Sequence, residues 1–114
     1  MDRITTHILD TSKGRPVADI RVQLHVLRDT DWKQIGSNLT DSDGRTGFAP
    51  IDSGNDLEAG VYRIRFNTAD YFTRQDVDTF YPYVDIAFRL PDNGEHYHVP
   101  LLISPFGYTT YRGS

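Results

Sequence analysis

The chain has 114 residues and no cysteine, and its 12 Lys and Arg against 16 Asp and Glu give a formal net charge of -4. The lack of cysteine excludes disulfides, thiolate metal sites and thiol nucleophiles, and it fits a reducing compartment. Interspersed charges offer nucleic acid no basic patch, and no apolar run is long enough for a signal peptide or a membrane span. We therefore expect one soluble, cytoplasmic domain over residues 1–114, with neither nucleic acid nor membrane as a partner.

Alternating apolar residues predict strands along most of the chain. Near the N-terminus, ITTHILD places Thr5, His7 and Leu9 on one side of a strand. ADIRVQLHVL, GVYRIRFN and YVDIAFRL each separate an apolar from a polar face, with turn signals such as DSDG and PDNG between the strands. NTADYFTRQDVD does not alternate, so we expect a short helix there, with Thr68 as its cap and Asp70 in its first turn. The pattern predicts an all-β sandwich or barrel.

The strand predicted for HYHVPLLIS mixes histidine with apolar residues on one face. Its expected core face consists of Tyr97, Val99, Leu101 and Ile103, and its other face of His96, His98, Pro100 and Leu102. A face that is both apolar and titratable is expected where another subunit covers the sheet, which would link site and assembly. In YTTYRGS the same alternation groups Tyr108, Thr110, Arg112 and Ser114.

A histidine on a strand is more often a surface or hydrogen-bonded residue than a catalyst. We expect this for His25, which stands among solvent-facing positions, and for His96 at the start of its strand. The pattern alone leaves His7 and His98 open between the two interpretations. Imidazoles also bind Zn²⁺, but the pair formed by His96 and His98 lacks a cysteine or a well-placed carboxylate, so we expect neither metal nor cofactor.

Three stretches carry a family resemblance: THILDTSKGRPVADIRVQL near the start, DSDGRTG in the middle and HYHVPLLISPFGYTTYRGS at the end. With them the chain resembles the 5-hydroxyisourate hydrolase branch of the transthyretin-like family over essentially its whole length. Transthyretin itself, the hormone carrier, lacks the Tyr-Arg-Gly-Ser ending and the matching histidines. The resemblance implies a sandwich of two four-stranded sheets with one short helix. It also implies a homotetramer, a dimer of dimers, with active sites in the channel between the dimers.

The activity that the resemblance implies is hydrolysis of 5-hydroxyisourate, the product of urate oxidation, to 2-oxo-4-hydroxy-4-carboxy-5-ureidoimidazoline. The family's functional residues fall here on His7, Arg45, His98, Tyr111, Arg112, Gly113 and Ser114. For this reaction we expect His7 and His98 to activate the water, and the sequence does not decide which takes the proton. We expect Arg45 to bind substrate oxygens and the negative charge that develops during attack.

The end of the chain is expected to complete the site. Arg112 would fix the heterocycle or order the chain end, and Gly113 would let the chain turn inward. Ser114 would position substrate or hold a histidine tautomer, through either its hydroxyl or the terminal carboxylate. Two other functions stay open, because a fold does not settle function: a transthyretin-like carrier of a small aromatic ligand, and an interaction module whose histidine face is an interface.

Overall fold

The computed structural model describes residues 3–48 and 57–113. In these ranges the chain forms nine strands and one helix: β1 Ile4–Asp10, β2 Arg15–Pro16, β3 Arg21–Arg28, β4 Asp31–Leu39, β5 Arg45–Phe48, β6 Gly60–Phe66, α1 Thr68–Arg74, β7 Val84–Leu90, β8 Tyr97–Ser104 and β9 Gly107–Thr110. The predicted all-β class with one short helix is confirmed.

The strands form two sheets. The first contains β1, β8 and β9 side by side, and the short strands β5 and β2 pair with successive parts of the free edge of β1. Within it β1 and β8 run parallel, whereas the other pairs are antiparallel. The second sheet has the order β4-β3-β6-β7 and is antiparallel throughout. Because β5 and β2 share one position, each sheet is four strands wide, which confirms the predicted sandwich.

The core lies between the two sheets, where the alternating patterns predict it. The inward positions of β3 and β6 are at most 2% exposed: Val22, Leu24, Val26, Tyr62, Ile64 and Phe66. The inward positions of β8 are buried as well: Tyr97, Val99, Leu101 and Ile103. Side chains two residues apart point to the same side of a pleated strand, so burying one apolar set leaves the intervening residues on the outer face. In the first sheet, those intervening residues include His7 on β1 and His98 on β8.

Helix α1 has seven residues, and its predicted cap is wrong. Asn67 occupies the N-cap position, whereas Thr68 is the first helical residue and is buried. The Asn67 amide does not cap the helix either, because it donates to the Arg21 carbonyl and to the Gln23 side chain. Asp70 lies in the first turn as predicted. No helix in the described ranges is long and apolar enough to cross a bilayer.

His25 is hydrogen-bonded, one of the two ordinary roles predicted for it, but its position does not face solvent as expected. The side chain is only 7% exposed, although it lies on the outer face of β3. Arg63, its register partner on β6, donates from Nε to the His25 Nδ1 at 3.2 Å and stacks its guanidinium over the Trp32 ring. The long side chains of the neighbouring strands therefore cover the imidazole.

Candidate functional site

Strands β1 and β8 bring His98 beside Thr5. The two residues are register partners on adjacent parallel strands, and the Thr5 Oγ1 lies 2.8 Å from the His98 Nδ1. Burial lowers the pKa of the half-buried imidazole, and the positive charges of Arg45 and His7 lower it further. His98 is therefore mainly neutral near pH 7, the state in which one ring nitrogen can accept a proton.

Arg45 begins β5, directly after a tight turn that fixes its backbone. The Asp41 carboxylate accepts the Arg45 N–H at 3.0 Å, and the Arg45 carbonyl accepts the Asp41 N–H at 2.9 Å. The first of these hydrogen bonds also lowers the pKa of Asp41. Gly44 completes the turn at a φ of 76°, where an added Cβ would lie 2.6 Å from the Ile8 carbonyl oxygen. The turn thus needs glycine, and it delivers Arg45 as the register partner of His7.

A cleft of about 410 Å³ lies over this part of the first sheet. It is lined by Thr5, Arg45, His96 and His98. His7 alternates onto the same face and is near enough to lower the pKa of His98 by its charge. The cleft therefore offers an imidazole as proton acceptor and a guanidinium for negative charge.

The chain returns to β8 just beyond the end of β9. Gly113 donates its N–H to the His98 carbonyl at 2.8 Å, in the register that β8 and β9 already have. Between these points Pro100 has no N–H to donate, and its carbonyl accepts the Thr110 hydroxyl at 2.8 Å. Strand β9 therefore ends at Thr110, and Gly113 still reaches His98.

Tyr111 and Arg112 lie in a second hollow, a groove of about 350 Å³ along the open side of the sandwich between β7 and the end of β9. The Arg112 guanidinium stacks over the Tyr97 ring, with 4.8 Å from Cζ to the ring centroid, and its Nη2 lies 3.9 Å from the Glu95 carboxylate. Both Arg112 and Glu95 are well exposed, so this ion pair contributes little to stability. His98 lines this groove as well as the cleft, so both hollows border the same residue.

The predicted site residues thus fall into three groups. Four of them lie at one face of the first sheet: His7, Arg45, His98 and Gly113. Tyr111 and Arg112 lie in the neighbouring groove, and the structure does not bring them to the Arg45 cleft. Ser114 lies outside the described residues.

Two residues that line the cleft were not predicted as site residues. Thr5 carries a signal in the sequence, because alternation places it on the face of His7. His96 directly precedes β8 and is exposed, and nothing in the sequence distinguishes it from an ordinary surface histidine. Within residues 3–48 and 57–113, no three His, Asp or Glu side chains come together as a group that could hold a metal ion.

Comparison with known proteins gives the family. Residues 4–113 match the HIUase/Transthyretin family. The chain is 40% identical over 111 residues to a probable 5-hydroxyisourate hydrolase of Caenorhabditis elegans, covering 97% of this chain and 81% of the relative. It superposes on 5-hydroxyisourate hydrolase of Klebsiella pneumoniae with a TM-score of 0.82 at 32% identity, covering 100% of both chains. For transthyretin of Sparus aurata the TM-score is 0.87 at 31% identity, with 99% and 97% covered. The chain belongs to the HIUase/Transthyretin family.

Proposed function

We propose that this protein hydrolyses 5-hydroxyisourate to 2-oxo-4-hydroxy-4-carboxy-5-ureidoimidazoline in urate degradation. Relatives named 5-hydroxyisourate hydrolase, matched over nearly the whole chain, support the activity. The observation that carries the proposal is the cleft in which the His98 imidazole and the Arg45 guanidinium face the same space. Hydrolysis of a cyclic amide is accelerated by a base that takes a proton from water and by a cation that stabilises the carbonyl oxygen. This cleft supplies both groups.

His98 and His7 act on the attacking water. Because its pKa is lowered, His98 is neutral at pH 7 and can accept a proton, and a positioned base of this kind contributes about 10²–10⁴-fold to a rate. His7 lies on the same face and orients the water or shares its proton. The water oxygen then bonds to a ring carbonyl carbon, and the protonated imidazole returns the proton to the ring nitrogen as the C–N bond breaks.

Arg45 binds the carbonyl oxygen that becomes negative during this attack. A guanidinium keeps its charge at neutral pH and presents parallel N–H donors that match imide and urea oxygens. The Asp41 turn holds the backbone of Arg45 before substrate arrives, so less conformational entropy is lost on binding. Because the chain has no cysteine, no thioester intermediate can form, which is consistent with direct attack by water.

The remaining predicted residues bind substrate from the other side of His98. Tyr111 and Arg112 line the groove that shares His98 with the cleft, and Gly113 lies against the His98 ring. We include Ser114 as the next residue, through its hydroxyl or its carboxylate.

We also propose that the protein assembles as a homotetramer, a dimer of dimers, with the cleft covered by a partner. The apolar residues beside the histidines support this, because Leu9 and Leu102 are register partners on the outer face of the sheet and are half-buried. A cytoplasmic location and a single domain over residues 1–114 stay predictions from the sequence.

The test of the activity is the ultraviolet absorbance of 5-hydroxyisourate, generated fresh from urate by a urate oxidase. We expect the wild type to accelerate its decay and His98→Ala to lose about 10²-fold or more of that acceleration. His25→Gln removes an imidazole from the other sheet and serves as the matched control. A His98→Ala variant that keeps full turnover and changes only assembly would support the interaction module instead.

A carrier of a small aromatic ligand is the second candidate, favoured by the TM-score of 0.87 with transthyretin. Similarity of the whole fold does not separate the two functions, since the identity to the transthyretin and to the hydrolase structure is nearly equal. The charged and titratable lining of the cleft favours the enzyme. Wild-type protein that leaves the decay of 5-hydroxyisourate unchanged would overturn the hydrolase and leave the carrier.

A further inference from the structure

Thr5 joins the strand of His7 to the ring of His98. Its Oγ1 lies 2.8 Å from the His98 Nδ1, a good hydrogen-bond distance, and its side chain lines the cleft. Because the two residues are register partners on adjacent strands, the sheet itself fixes this contact. Contacts held by strands are more exact than contacts held by loops.

The contact bears on which nitrogen of His98 carries the proton. A neutral imidazole has one N–H, and the partner of one nitrogen sets the state of the other. The Thr5 hydroxyl can accept a hydrogen bond from a protonated Nδ1 or donate one to a bare Nδ1, so this contact alone fits either tautomer. The groups on the opposite side of the ring distinguish the two.

The charged groups around the ring favour the tautomer with the proton on Nδ1. Arg45 on β5 faces His98 from the cleft, and a guanidinium has donors but no acceptor. Among the described residues, His7 on β1 and His96 just before β8 are further titratable groups at this face. A bare Nε2 beside the Arg45 donors is favourable, whereas an Nε2–H would meet donors with a donor.

We propose that Thr5 is a positioning residue: it holds His98 with Nδ1 protonated and so presents Nε2 to the cleft as the proton acceptor. This inference rests on the proposed hydrolase function. The tautomer of His98 can nevertheless be measured without substrate.

Four proteins test the proposal by ¹⁵N NMR of the imidazole and by kinetics with 5-hydroxyisourate: wild type, Thr5→Val, Thr5→Ser and Thr6→Val. Thr5→Val keeps the side-chain shape and removes the hydroxyl, and Thr5→Ser restores it. Thr6→Val is the matched control, because the Thr6 hydroxyl donates to the Val99 carbonyl on the buried side of the same strand.

We expect wild type and Thr5→Ser to show a protonated Nδ1 and an unprotonated Nε2. In Thr5→Val the proton should move partly to Nε2, and kcat should fall about tenfold, the rate equivalent of one hydrogen bond, with little change in KM. The acid limb of its pH profile should move to lower pH, because the hydroxyl no longer favours the charged ring. Thr6→Val should lower stability while keeping the wild-type tautomer and pH profile.

Two results would overturn the role of Thr5: a wild-type His98 protonated at Nε2, or a Thr5→Val variant with unchanged tautomer and kinetics. The NMR spectrum of the wild type alone decides the first, even where a variant fails to fold. A wild type with a protonated Nδ1 that does not hydrolyse 5-hydroxyisourate would overturn the proposed hydrolase function. It would still support the positioning of His98 by Thr5.

Discussion

Gly113 lies directly against the imidazole of His98. A Cβ added to Gly113 would stand 2.5 Å from the His98 Cδ2 and 3.2 Å from both its Cβ and its Cγ. At the same time the Gly113 N–H donates to the His98 carbonyl at 2.8 Å. The hydrogen bond thus fixes Gly113 beside β8, and the missing side chain leaves the space that the ring occupies.

Gly113→Ala should therefore displace the ring and spare the fold. The new methyl group meets a side chain rather than backbone, so rotation of the His98 ring is the cheapest relief. We expect kcat/KM for 5-hydroxyisourate to fall by about 10²-fold, the cost of misplacing a reacting group by about 1 Å, with an almost unchanged Tm. Gly107→Ala is the control, because its Cβ would meet nothing nearer than the Ser104 Oγ at 3.6 Å. A Gly113→Ala enzyme with wild-type kcat/KM would show that the contact does not matter.

Asp41 should affect activity only by positioning Arg45. Its carboxylate accepts the N–H groups of Asp43 and Arg45, at 2.9 Å and 3.0 Å, in an exposed turn. Asp41→Ala should loosen the turn and lower kcat/KM about tenfold, with little loss of stability because water can replace these bonds. Asp41→Asn keeps an acceptor oxygen and should retain most of the activity. Equal kinetics for Asp41→Ala and Asp43→Ala would refute this positioning role.

The pH dependence of hydrolysis should report His98. Burial, followed by the charges of Arg45 and His7, lowers its pKa from the usual 6.5, so the base form persists below that pH. We expect kcat/KM to decline on the acid side with a midpoint below pH 6.5, because protonation of His98 removes the base. The rates must be corrected for the spontaneous decay of 5-hydroxyisourate at each pH. An acid limb centred above 6.5 would contradict His98 as the base.

The sequence predicts those features of the site that depend on one strand at a time. Period two in β8 correctly separates the buried Val99 and Leu101 from the outward His98, because alternation is a local property of the pleat. Features that depend on pairing between distant strands are not encoded in that pattern. Thr5 meets His98 through a parallel register across 93 positions of sequence, and alternation cannot supply that register.

The end of the chain shows the same limit in another form. Alternation groups Arg112 with Thr110, but it does not say which face of β8 that group joins. The antiparallel register pairs Thr110 with Leu101, a core position, and Arg112 stacks on Tyr97 rather than entering the Arg45 cleft. The burial of His25 could not be predicted from its own strand for a related reason, since the side chains that cover it come from other strands.

His25 should make the fold sensitive to acid. Burial, and then the charges of Arg63 and Arg65, lower its pKa from 6.5, so the unfolded chain binds more protons than the folded one below that pH. The free energy of unfolding should therefore fall as the pH drops below 6.5 and through the lower folded value. His25→Gln can still accept the Arg63 N–H and does not titrate, so its stability should fall less.

Denaturant unfolding at about pH 7.5 and about pH 5.5, at one fixed protein concentration, measures this difference. His98 contributes with the same sign, so the variant should keep part of the pH dependence. If wild type and His25→Gln lose equal stability between the two pH values, His25 is not a source of the acid sensitivity.

Assembly should be needed for turnover, because the face that carries His98 also carries apolar residues that the described part of this chain covers only in part. Leu102 is half-buried there and pairs with Leu9 across β1 and β8. Leu102→Asp should place a charge where a partner packs, dissociate the proposed tetramer and lower turnover per chain. Leu27→Asp, at a half-buried position on the outer face of the other sheet, is the control and should keep both assembly and activity. Sedimentation and hydrolysis, measured at the same chain concentration, compare the two variants. A dissociated Leu102→Asp protein with full turnover would show that one chain suffices for the reaction.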